Sequence, residues 1–188
     1  MAEQATTKGV WQADPYHTQV EFSAKHLGMM TVRGHFADVS VTGNIDPNQP
    51  ENTTLEVTIQ TASMRTNHAQ RDKDVLASNF LDADTFPTMT FKSTKIEHVE
   101  GDRYTMTGDL TIKGVTHPVT LNMTRLGEFN DPRMGHRFAY SGEGKINRKD
   151  FGMSFSMMLD GKFIVSDEIQ LLLEGEIVEK QPEESAGA

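Results

Sequence analysis

Seven histidines are the side chains of this sequence best suited to acid–base or metal chemistry, and their spacing argues against both. His17, His26, His35, His68, His98, His117 and His136 are scattered over separate segments, with no His-Glu-x-x-His pair or other close ligand set. The absence of cysteine removes disulfides, thiolate metal sites and cysteine nucleophiles together. No Gly-x-Ser-x-Gly elbow or P-loop occurs, and Gly142-Glu143-Gly144 lacks the third glycine and the strand-to-helix setting of a dinucleotide loop. The acidic pairs Asp72/Asp74 and Asp82/Asp84 fit helix-start and turn preferences better than a catalytic couple. Arg71 beside Asp72, and Arg148 near Asp150, could meet an anionic head group, but Asp74 would repel a diphosphate and structural ion pairs are the better reading. No catalytic residue, metal ligand or cofactor is assigned on these grounds.

The elements that would position such residues are mostly strands. From Gln19 to His26 the chain alternates strictly, with Val20, Phe22 and Ala24 on one face and Glu21, Ser23 and Lys25 on the other. His26 follows on the inward face, where it could meet a head group at a barrel mouth or serve as a structural histidine. Gly34 and Phe36 continue the pattern before the register moves to Val39 and Val41, which predicts a bulge near Ala37-Asp38. Leu55, Val57 and Ile59 mark another strand. So do Met89 and Phe91; Tyr104, Met106, Leu110 and Ile112; Val119, Leu121 and Met123; Phe138, Tyr140 and Ile146; and Ile169, Leu171, Leu173 and Ile177. Phe151, Met153, Phe155, Met157 and Leu159 predict a further extended segment. Between these, period-2 alternation stops over about 67–85, where Asn67 as N-cap with Gln70 predicts the one helix, ended before Pro87.

Eight or nine antiparallel strands with short turns predict an all-β barrel, with a homodimer through an edge strand as an alternative use of the sheet. A small barrel is either filled by its side chains or holds one ligand. Ala24, Gly34, Gly108, Gly142 and Gly144 fall on the apolar face where a solid core would carry Leu or Ile, so they either leave volume unfilled or bend strands at corners. The 10 Phe and 11 Met suit an irregular apolar interior or an irregular apolar guest. A net charge of −9 opposes nucleic acid as a partner, and no apolar run reaches the roughly 20 residues of a membrane-spanning helix. With no apolar leader, the sequence as written reads as cytoplasmic, or as periplasmic if a leader has been removed. The ends, 1–10 and 180–188, read as flexible flanks of a single domain over 11–179.

Several ordered blocks resemble the YceI-like family. They begin with Trp11-x-x-Asp14-x-x-His17 and Val20-x-Phe22-x-x-x-His26, and continue with Gly34-His35-Phe36 and Thr66-Asn67-x-x-x-Arg71-Asp72. Asn79-Phe80-Leu81-Asp82, Phe86-Pro87-x-x-x-Phe91, Gly108-Asp109-Leu110-Thr111, Gly114-Val115-Thr116-His117-Pro118-Val119 and Arg148-Lys149-Asp150-Phe151-Gly152 complete the set. The resemblance implies an eight-stranded, elongated lipocalin-like barrel that binds a polyisoprenoid or another long-chain amphiphile.

Alternation and resemblance together predict a carrier or sequestering protein. Its cargo is expected to be a polyisoprenoid, isoprenoid quinone or fatty-acid-like lipid. The expected lining is Phe22, His26, Phe36, Val57, Ile59, Phe91, Met106, Phe138, Tyr140, Met153, Phe155 and Leu171. Two other readings stay open at this point: an enzyme using a His with an Asp on an isoprenoid or quinone-like substrate, and a solid barrel serving as an interaction module.

Overall fold

The computed structural model describes residues 10–180. The expectations of flexible ends fall outside that range, except at Val10 and Lys180, which are joined by a backbone hydrogen bond of 2.7 Å. The strands are β1 (Trp11–His26), β2 (Met30–Phe36), β3 (Val39–Asn44), β4 (Thr54–Gln60), β5 (Met64–Arg65), β6 (Thr88–Glu100), β7 (Arg103–Ile112), β8 (Val115–Asp131), β9 (Gly135–Asn147), β10 (Met158–Leu159), β11 (Lys162–Phe163) and β12 (Val165–Glu179), with one helix, α1 (Ala69–Leu76). All pairings are antiparallel. The main sheet runs β3-β4-β6-β7-β8-β9-β12-β1-β2-β5, and β10-β11 form a separate small ribbon.

The sheet wraps into an elongated barrel, but its ladder is not the closed ring expected from the sequence. Its two ends, β3 and β5, are continuations of strands already inside it. β2 kinks at Ala37-Asp38 to become β3, where the register change predicted a bulge, and β4 passes through a single 3-10 turn, Thr61–Ser63, to become β5. The kinks face each other and are bridged by Ala37 N–H to the Ser63 carbonyl at 3.2 Å and Gln60 N–H to the Asp38 carbonyl at 3.0 Å. In the lower half β3 lies against β1 without ladder bonds. In the upper half, α1 and residues 77–87 cover the gap beyond the Gln60–Thr88 pair, where Leu81 is buried and Val75 and Leu76 pack on the core.

Two local expectations are corrected. The helix is shorter than 67–85, and its N-cap is His68, whose Nδ1 accepts from the Arg71 amide at 3.3 Å. Asn67 instead takes a left-handed conformation (φ 61°), which asparagine tolerates, and the turn it makes moves the helix start on by one step. The segment Phe151–Leu159 is not a continuous strand; only Met158–Leu159 pair, as β10. Arg148–Phe151 form a 3-10 turn ended by left-handed Gly152, and Met153 to Met157 run irregularly into the β10-β11 ribbon. Phe151 and Met153 are buried because they plug the upper barrel end, and that burial, not a pleat, is the origin of their alternation.

Both expected ion pairs also have other partners. Arg71 and Asp72 grip Thr66 rather than each other. Arg71 donates to the Thr66 hydroxyl at 2.8 Å and carbonyl at 2.7 Å, and Asp72 accepts from the Thr66 amide at 2.7 Å. Arg148 pairs with Asp167 at 2.8 Å, not with Asp150.

Candidate functional site

The barrel interior holds an apolar cavity of about 770 Å³. On β12 alone its wall runs from Val165 to Ile177, roughly 40 Å of strand at about 3.3 Å per residue, or roughly 30 Å along the axis once strand tilt is allowed for. A volume of this size spread over that length is a slender tube. Its middle wall is built from inward residues of successive strands, among them Val20, Phe22, Val57, Met89, Phe91, Met106, Leu110, Leu121, Leu171 and Leu173. Polar side chains gather towards the ends, with Arg71, Asp74, Asn79 and Arg148 above and Thr18, Asp46, Thr53 and Glu176 below. The Tyr140 phenol also lines the wall, and burial pushes it up to about 12, so it stays neutral.

The structure places Phe22, His26, Phe36, Val57, Ile59, Phe91, Met106, Tyr140, Met153, Phe155 and Leu171 on this lumen. His26 stands at the upper mouth, tied through Nδ1 to the Ile164 carbonyl at 2.9 Å. Phe138 is corrected: it keeps the inward register of β9 but lies below the lumen, 2% exposed. There it packs with Trp11 and His136 at ring distances of 5.3 and 5.1 Å and closes the bottom. Alternation alone cannot tell a lining residue from a plug on the same face. Lumen residues from irregular segments, namely Ile45, Pro47, Phe80 and Ile164, carried no periodic signal in the sequence.

The inward glycines resolve into a third role, neither empty volume nor corners. A Cβ on Gly34 would meet the Phe22 ring at 2.4 Å, and one on Gly108 would meet the Phe91 ring at 2.4 Å and the Lys92 carbonyl at 2.5 Å. Gly34 and Gly108 thus leave room for the Phe22 and Phe91 rings against the wall, as Gly142 and Gly144 do for Met123 and Leu121, which keeps those side chains out of the bore. Gly108→Ala is therefore expected to swing Phe91 inward, to cost about 1–3 kcal/mol of stability through overpacking, and to weaken uptake of a fluorescent alkyl probe. Thermal melts and probe titration check both effects; unchanged uptake would show that the bore does not depend on this packing.

Below the lumen, Asp14 and His17 of the Trp-x-x-Asp-x-x-His block meet Glu176 with ligand atoms within 4.8 Å of one another. Arg137 Nη1 already lies 3.1 Å from Asp14 and 2.7 Å from Glu176. The guanidinium supplies the positive charge, so this is an ionic clamp tying the bulged start of β1 to β9 and β12. Burial by itself would raise the Asp14 carboxyl, but bonds from His17, the Tyr16 amide and Arg137 outweigh it and hold the group below its ordinary 3.8. The Thr66 hydroxyl lowers Asp72 and Arg133 lowers Asp131. A carboxylate with a depressed folded pKa contributes stability above its unfolded value and loses it as pH falls through the folded one. The melting temperature is thus expected to hold from about pH 7 to 5 and to drop below about pH 4. Asp14→Asn should flatten part of that drop in circular dichroism melts; an identical acid slope would show that Asp14 plays no part in it.

Among the described residues no helix is long and apolar enough to cross a membrane. The YceI-like domain profile matches residues 11–177. The UPF0312 protein of Pseudomonas paraeruginosa is 40% identical over 157 residues, covering 84% of this chain and 79% of its own. Protein YceI of Salmonella arizonae is 39% identical over 165 residues, covering 88% and 83%. Among solved structures, Burkholderia cenocepacia BcnA superposes with a TM-score of 0.76 at 26% identity, covering 88% of this chain and 99% of its own. A polyisoprenoid-binding domain from Saccharophagus degradans superposes at 0.62 with 13% identity, covering 92% and 100%, a likeness of fold alone. Profile, relatives and barrel agree, and the chain belongs to the YceI-like family.

Proposed function

We propose that this protein binds a long apolar amphiphile, of the polyisoprenoid, isoprenoid quinone or fatty-acid-like class, in the barrel lumen and carries or sequesters it. The observation that carries this reading is a slender bore whose wall is almost wholly apolar, with charged side chains such as Arg71, Arg148, Asp46 and Glu176 towards its ends. An empty bore of this kind leaves every lining residue without packing partners on one side. A hydrocarbon guest supplies them, at about 0.8 kcal/mol per methylene or roughly 4 kcal/mol per five-carbon unit, before the cost of ordering the chain. The fold neighbour described as polyisoprenoid-binding supports the choice of cargo class.

Acid–base chemistry on the guest is less well supported. The histidines paired with carboxylates, His17 with Asp14 and His136 with Glu128, stand outside the lumen. The test is organic extraction of protein purified without detergent, followed by mass spectrometry. One apolar molecule per chain is expected; protein that yields no lipid and refuses an added alkyl probe would end the reading, and a chemically altered guest would favour an enzyme.

A further inference from the structure

The upper mouth of the barrel is bordered by side chains that a protein whose only task was to hide its cargo would not expose. Met29 and Met30 sit at the β1-β2 turn, and Met157, Met158, Leu159 and Phe163 on and beside the β10-β11 ribbon; all are exposed. The two groups form one lip. The Leu27 amide donates to the Ile164 carbonyl at 3.2 Å, the Ile164 amide donates to the Met157 carbonyl at 2.9 Å, and Lys162 Nζ reaches the Met29 sulfur at 3.9 Å. The lip is also continuous with the lumen, since Ile164, which carries two of these bonds, and His26, whose Nδ1 meets the Ile164 carbonyl and whose own carbonyl accepts from the Met29 amide at 3.0 Å, both line it.

We infer that this lip docks on the surface of a lipid bilayer and opens the lumen directly onto it. The inference rests on the proposed lipid cargo. An apolar chain that left through this mouth into water would re-expose its whole hydrocarbon surface, so the mouth has to meet another apolar phase, and the lip joins the two without a polar break. Methionine is flexible and polarizable, which suits a disordered acyl surface better than a fixed protein partner. Lys149, over the Phe163 ring at 5.5 Å, Lys162, beside Met29, and Lys25 at the end of β1 border the lip, while Asp160 in the ribbon turn and Asp167, 2.7 Å from Lys149, offset them, so its local charge is nearly balanced. With a net charge of −9 over the whole chain, a strongly anionic surface would repel the protein at a distance. The fitting surface is therefore zwitterionic, with apolar side chains as the attachment.

The experiment uses the full chain with vesicles of dioleoylphosphatidylcholine carrying a trace of pyrene-labelled alkyl chain, and reads flotation and transfer of the label into protein. The wild type is expected to float with the vesicles and take up label. Met158→Asp with Phe163→Asp, and independently Met29→Asp with Met30→Asp, are expected to weaken flotation and slow transfer by about tenfold or more. All four positions are exposed, so folding and extracted lipid should be unchanged. Phe129→Asp, exposed at the opposite barrel end, should leave both readouts intact. Wild-type protein that holds extractable lipid yet ignores vesicles would overturn the lip alone; protein with neither lipid nor uptake would overturn the lumen reading beneath it. A wild-type dimer that the lip variants convert to monomer, with no flotation in either, would assign the surface to a second copy and overturn the proposal.

Discussion

Met106→Asp is expected to empty the lumen while leaving the barrel folded. Met106 sits at mid-height on β7, buried and flanked across the sheet by Ile96 on β6 and Leu121 on β8, so its side chain faces a predominantly apolar stretch of the bore. A carboxylate there faces two situations. In the empty lumen it can be hydrated, because the cavity of about 770 Å³ admits water. With a hydrocarbon beside it the water is displaced and the group must be desolvated or protonated, at a cost on the order of 3 kcal/mol. That cost falls on the bound state alone, and it corresponds to about a hundredfold loss of affinity. Asn122→Asp on the exposed outer face of β8 is the matched control, with the same charge added and no effect on loading expected. Extraction and probe titration of both variants decide the matter. Equal loss in both, with folding intact, would show that cargo does not lie against Met106.

Facing was legible in the sequence where a strand buries one side and wets the other. On β1, Val20, Phe22 and Ala24 alternate with polar neighbours because the barrel wall enforces a period of two, and the same rule located Met106 and Leu171 on the lumen. It misled where apolar residues alternate for another reason. Phe151 and Met153 are two buried stoppers in an irregular segment, and Phe138 is a floor on a lining face. The ionic clamp was not legible at all, since Arg137 and Asp14 lie 123 positions apart and only the β9-β12-β1 order brings them together. The inward glycines announced themselves by position, but their purpose depends on the large side chains of adjacent strands, which no single strand's pattern contains. The helix was visible by composition; its start was set by the left-handed backbone of Asn67, a preference too weak to read in advance.

Arg148→Ala is expected to produce the largest loss of stability, about 3 kcal/mol, because one side chain holds the upper mouth together. The residue is 1% exposed, the most deeply buried charge among the described residues. Its Nε donates to the Ser166 carbonyl at 3.0 Å, one terminal nitrogen to the Met153 carbonyl at 2.7 Å, and the other to Asp167 at 2.8 Å. The guanidinium thereby joins the plug segment at Met153 to the start of β12, and it stacks on Phe80 at 5.9 Å from the loop that follows α1. Burial pulls its pKa below the usual arginine range and Asp167 opposes that pull, the signature of a charge kept inside by its partners. Truncation leaves two carbonyls without this donor. Asp167 is not stranded, because Lys149 Nζ remains 2.7 Å away, which keeps the cost below that of an orphaned buried ion. For a chain of this size about 3 kcal/mol corresponds to a fall of roughly 6–12 °C in melting temperature. The same release should make the segment between Met153 and Ile164 cleavable at native temperature, well before the barrel melts. A melting point within about 2 °C of the wild type, well short of that fall, with that segment still protease-resistant, would show that the Phe80–Phe155 stack at 4.9 Å and the buried Phe151 hold the mouth without the guanidinium.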